Sequence, residues 1–147
     1  MAGILVLGET IGGRLDPITG ELLSVGRGLG GRIGVALLGD ALGGPSKEAI
    51  ALGADIVYRA EHPLLASGSA DAGVLALEQV CRQVEPSVVL LGKTFLGKDV
   101  GPRVAQRLGV GVAQDCIGVR IDDTTGRIVA ARPVYGGSAI ANVTLSG

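Results

Sequence analysis

Tryptophan is absent from this chain of 147 residues, and all aromatic residues together reach only 2%. Proteins that grip single-stranded nucleic acids stack bases on aromatic rings, so that class is excluded. Cysteine is scarce as well. Cys81 and Cys116 stand far apart and form no C-x-x-C pair, which argues against a disulfide scaffold or a zinc site. They read as small buried hydrophobes of a reducing compartment. His62 is the single histidine. It sits in a loop beside Pro63 with no candidate serine or cysteine nucleophile placed by the sequence, and one imidazole does not make a transition-metal site. No excess of charge is present: 13 basic and 14 acidic residues give a net charge of −1, without blocks of one sign. Nothing here attracts a nucleic-acid backbone or an anionic membrane. The first residues carry no positive cluster, and the apolar run at 4–7 is too short for a signal core or a membrane span. The expectation is a cytoplasmic protein with no direct membrane insertion.

What the chain does have is small apolar side chains. Hydrophobic residues make up 47% of it, and 26 glycines permit close approach between layers. Its length fits one domain, and no repeat, low-complexity segment or linker marks a boundary, so residues 1–147 are read as a single domain.

The apolar pattern alternates between two periods. Residues 4–7, 33–38, 55–58 and 87–91 read as strands, and the continuous runs among them suit strands covered on both faces. Between and after them come helices at 17–29, with Asp16 as N-cap and Pro17 in the first turn, at 46–52, capped by Ser46, at 69–84, and at 99–108, capped by Asp99. The third is the clearest, with Val74, Leu77, Cys81 and Val84 near i, i+3, i+7 and i+10. From Gly109 the pattern turns β-rich: 116–121 and 127–131 flank a polar turn, and 139–145 is a last strand. Such alternation predicts an α/β fold of three layers, α/β/α, with a mainly parallel sheet and a C-terminal β-hairpin extension. Any ligand belongs beyond the carboxyl ends of the strands, at a switch point in strand order.

Two motifs resemble phosphate sites without being placed as such. Gly26-Arg27-Gly28-Leu29-Gly30-Gly31 contains G-x-G-x-x-G, but it closes a helix and leads into a strand, the reverse of the dinucleotide arrangement. Gly92-Lys93-Thr94 ends like a phosphate loop, but Ser87 occupies the position of the opening glycine and the residues between form a strand. A free-standing hydrolase lacks a nucleophile–base pair.

Two segments carry more chemistry than a connection needs. In 92–99, Thr94 offers a hydroxyl, Lys93 and Lys98 offer cations, Gly97 allows tight backbone and Asp99 stands ready to cap a helix. This loop follows a strand's carboxyl end, and its plain alternative is a capped turn with solvated lysines. In 132–138, Pro133 pushes Arg132 toward an extended conformation. Gly136 and Gly137 allow a sharp turn, and Tyr135 suits either an interface or a core corner.

The ordered pieces Ile4-Leu5-Val6-Leu7-Gly8-Glu9, Gly53-Ala54-Asp55, Pro86-Ser87-Val88-Val89-Leu90-Leu91-Gly92, Leu96-Gly97-Lys98-Asp99 with Pro102-Arg103, and Arg132-Pro133-Val134-Tyr135-Gly136-Gly137 resemble the N-terminal domain of the electron transfer flavoprotein alpha subunit, the FixB family. The resemblance implies an adenine nucleotide alpha hydrolase-like fold. It implies a beta subunit as partner, dehydrogenases as electron donors, and FAD carried by the complete heterodimer, mainly in a separate C-terminal alpha domain. That FAD-binding domain has no counterpart here, so this chain alone is expected to bind FAD weakly or not at all and to catalyse nothing by itself. Candidate cofactor-binding residues are Thr94, Gly97, Lys98, Asp99 and Arg103. Candidate interface residues are Arg132, Tyr135, Gly136 and Gly137. The competing expectation is a small adenine-nucleotide-binding α/β domain using the Thr94–Asp99 loop.

Overall fold

Four strands, three of them wholly apolar, lie side by side and parallel, with helices packed on both faces. The computed structural model describes residues 3–66, 69–92, 94–110, 112–116, 118–121, 128–131 and 137–141. Along the chain come β1 (Ile4–Gly8), β2 (Thr10–Ile11), β3 (Arg14–Leu15), α1 (Pro17–Gly28), β4 (Ile33–Gly39), α2 (Gly43–Ala51), β5 (Ile56–Glu61), α3 (Pro63–Ala66) and α4 (Ala70–Val84). There follow β6 (Val88–Gly92), α5 (Phe95–Leu108), β7 (Val112–Cys116), β8 (Gly118–Ile121), β9 (Ile128–Ala131) and β10 (Gly137–Ala141).

The main sheet has the order β5-β4-β1-β6-β10-β7. β5, β4, β1 and β6 are parallel, and β10 runs antiparallel between β6 and β7. Alternation along each strand sorts side chains to two cores. Ile4, Val6, Val35, Leu37, Val88 and Leu90 meet Leu22, Leu23 and Ala49 of α1 and α2. On the other face Leu5, Leu7, Ala36, Val89 and Leu91 meet Val74, Leu77, Val100 and Val104 of α4 and α5. The predicted three-layer α/β/α architecture is therefore the one observed. Each fully buried leucine contributes about 1.5–3 kcal/mol of apolar burial, which is how a core almost without aromatics suffices.

Several boundaries differ from the sequence reading. Helix α2 begins at Gly43, not at Ser46, and its N-cap Leu42 makes no side-chain capping bond. Ser46 instead donates from within the first turn to the Leu42 carbonyl at 2.6 Å. Helix α5 begins at Phe95 with Thr94 as N-cap, so Asp99 is an interior residue. Strand β5 runs three residues further than expected, and the hairpin β2–β3 and strand β7 were not foreseen. The β8–β9 pair is the expected hairpin; its turn lies outside the described residues. Asp16 caps α1 by accepting from Ile18 N at 3.0 Å, as read. The 26–31 glycine run is likewise a helix end: α1 closes at Gly28, and Gly30 and Gly31 take φ of 78° and 86° before β4.

Candidate functional site at the switch point of the sheet

The chain leaves β1 for β4 and β5 on one side, then crosses to β6 on the other. Strand order reverses between β1 and β6, and open α/β sheets bind ligands beyond the carboxyl ends of the strands at such a point. Glu9 follows β1 there, Gly92 ends β6 and Thr94 lies just beyond it.

Glu9 is held from three sides by its backbone. Its N–H donates to Thr19 Oγ1 at 2.9 Å, its carbonyl accepts from the same hydroxyl at 3.3 Å, and the carbonyl also accepts from Asp16 N at 2.8 Å. Thr19 is fully buried, so these bonds satisfy an otherwise costly hydroxyl. The Glu9 side chain reaches across to β6, where Oε2 accepts from Thr94 Oγ1 at 2.7 Å. Thr94 Oγ1 in turn accepts from Gly97 N at 3.0 Å. One hydroxyl thus caps α5 and ties it to the end of β1. Burial pushes the Glu9 carboxyl above its ordinary value; the Thr94 bond opposes this and nearby Asp16 adds to it.

Glycines make this closeness possible. A Cβ on Gly97 would collide with the Gly92 carbonyl oxygen, and one on Gly92 would come within 2.7 Å of Ile18 Cγ1 and 3.4 Å of Glu9 Oε2.

The five candidate cofactor residues fall into separate sets. Thr94 and Gly97 are spent on the cap. Arg103 donates to Asp71 of α4 at 2.7 Å and pairs with Asp99 one turn back at 3.5 Å, bracing α5 against α4. Lys98 is exposed, with its backbone N–H bonded to the Thr94 carbonyl. Hydroxyl, amide and guanidinium thus each hold an internal bond. Among the interface candidates, Arg132, Tyr135 and Gly136 lie outside the described residues. Gly137 opens β10 and is the register partner of Gly92. One described residue of each segment, Gly92 and Gly137, therefore lies beside the other at the carboxyl end of β6.

Glu9 was missed as a site residue. Its only signal in sequence was its place just after an apolar strand closed by Gly8. His62 accepts from Leu64 N through Nδ1 at 3.1 Å and starts the short α3, a local role. A cavity of about 260 Å³ opens at the opposite, amino-terminal edge of the sheet, among Gly3, Arg32, Gly34, Tyr58 and Val84; it is remote from the switch point. No helix among the described residues is long and apolar enough to cross a membrane.

Comparison with known proteins agrees with this architecture. The family model for the electron transfer flavoprotein domain matches residues 4–146. The electron transfer flavoprotein subunit alpha of Bacillus subtilis is 38% identical over 143 residues, covering 95% of this chain and 43% of that protein. Its namesake from Thermoanaerobacterium thermosaccharolyticum is 35% identical over 144 residues, with coverage of 95% and 43%. Protein FixB of Rhizobium meliloti is 35% identical over 139 residues, covering 89% of this chain and 39% of the relative. The chain thus spans less than half the length of the curated relatives it matches.

Proposed function

The chain belongs to the electron transfer flavoprotein domain family, and from that premise we propose that it works as the N-terminal docking domain of an alpha-type subunit. In this reading residues 1–147 form one scaffold domain that holds a beta-type subunit, and the complete heterodimer carries FAD between dehydrogenases and an acceptor, in the cytoplasm. The flavin is held elsewhere in that assembly. When bound, it accepts and releases electrons; this chain's part is to fix the partner's position.

The observation that carries the reading is the register of Gly137 on Gly92. It brings Gly137, the last residue of the most distinctive piece of the resemblance, alongside the carboxyl end of β6. An edge whose polar groups are already bonded to one another suits a preorganised docking face better than a cofactor cradle. Arg132, Tyr135, Gly136 and Gly137 would be its contact residues, with Lys98 as an available cation on α5.

The test is association. The chain mixed with a purified electron transfer flavoprotein beta subunit should form a one-to-one complex at micromolar concentration, measured by light scattering after size-exclusion chromatography. Absence of a complex up to 100-fold higher concentration would remove the reading. Arg132→Ala and Tyr135→Ala should each weaken the complex about tenfold or more if they are central contacts.

A further inference from the structure

Among the described carboxylates in hydrogen-bond contact with another side chain, Glu9 alone has a hydroxyl as that partner and no arginine or lysine. Its surroundings are fixed on every side. Asp16 stands at the start of α1, Thr19 of α1 grips its peptide, Ile18 and Gly92 close around it, and Thr94 receives its side chain. Arg14 of the neighbouring hairpin is paired with Glu48 at 3.8 Å instead. Asp16 is the charged side chain that acts on Glu9, and it acts against ionisation.

We infer that Glu9 is a positioning residue whose carboxylate latches the first turn of α5 to the end of β1, and that this latch sets the docking geometry of the sheet's carboxyl edge. The first half stands on the relay itself: Gly97 N to Thr94 Oγ1, and Thr94 Oγ1 to Glu9 Oε2. A hydroxyl that donates to an anion is a better acceptor for the helix amide, because bonds in a chain polarise one another. The second half rests on the docking reading proposed above. Gly92 links the two, since it lies against Glu9 on one side and pairs with Gly137 on the other.

The experiment compares the wild-type chain with Glu9→Gln, and with Thr94→Ser as a control that retains the hydroxyl. Amide exchange at Gly97 and thermal melting are followed by NMR and calorimetry at pH 7. Binding of a purified electron transfer flavoprotein beta subunit is then titrated. Replacing a charged acceptor by a neutral one should speed Gly97 exchange by about five- to tenfold, with melting temperature unchanged or higher. Thr94→Ser should keep the wild-type protection. Binding of Glu9→Gln should weaken by a similar factor. Unchanged Gly97 exchange in Glu9→Gln overturns the latch. Faster Gly97 exchange with undiminished binding overturns its link to docking. A wild-type chain that does not bind at all brings down the docking reading and the second half together, while Gly97 exchange still decides the first.

Discussion

Two glutamates, one at the end of β1 and one in the middle of α4, stand in opposite electrostatic settings. Glu78 accepts from Arg107 of α5 and from Arg82 one turn along its own helix at 2.9 Å. These bonds hold its carboxyl below the ordinary value, Arg107 contributing most. Glu9 has one hydroxyl partner, and burial drives its carboxyl the other way. The charge on Glu78 helps join α4 to α5, as Arg103 does with Asp71. A charge on Glu9 works against its own burial, while three bonds to its backbone and the Thr94 bond to its side chain hold the residue in place. The difference separates a bracing contact from a polar centre built into the switch point.

The comparison breaks most readily at Gly97. Alanine inside a helix is ordinarily worth about 1 kcal/mol over glycine. At Gly97 the new Cβ would strike the Gly92 carbonyl, so Gly97→Ala should instead cost about 3 kcal/mol, the upper part of the range for overpacking. The urea midpoint measures it. A stabilised variant would mean that α5 does not approach β6 closely enough for Thr94 to meet Glu9. Next in size is Thr94→Val, which keeps the shape and removes the hydroxyl. Loss of the cap should cost about 1–2 kcal/mol, while Thr94→Ser stays near wild type. The same variant sharpens the contrast between the glutamates: without the Thr94 bond that opposes burial, the Glu9 carboxyl should titrate higher still, read from its side-chain carbonyl by NMR.

Much of this scaffold was legible because apolar runs and helical spacing survive any context. Residues 4–7, 33–38 and 87–91 could only be covered strands, and Asp16-Pro17 and Ser69 announced their helices. The topology that carries β10 between β6 and β7 was not legible, since strand neighbours depend on contacts distant in sequence. The candidate site was legible only in part. The 92–99 segment was recognised as unusual, yet its first half is the opening turn of α5. Gly97 disguised that turn, because glycine lowers helix propensity, and Asp99 offered itself as a cap further on. Glu9 was invisible as a partner of Thr94 because 85 residues separate them.

The smallest expected effect is a dependence on pH, and it sets the two glutamates directly against each other. Glu78 is depressed in the folded state, so it contributes stability above its unfolded value near 4.5 and loses it as pH falls through the lower folded value. Glu9 is raised, so the folded state binds its proton more tightly than the unfolded chain does. Its contribution is fully present below 4.5 and is lost as pH rises through the higher folded value. At pH 7 Glu9→Gln should therefore melt above wild type, and this advantage should vanish as pH falls below 4.5. Glu78→Gln should melt slightly below wild type at pH 7, because an exposed ion pair adds little, and that deficit should close in acid. Plotted against pH, the two differences approach zero from opposite sides. Curves approaching from the same side would mean that Glu9, like Glu78, is held by a cation, and the polar centre at the switch point would then be an ordinary brace.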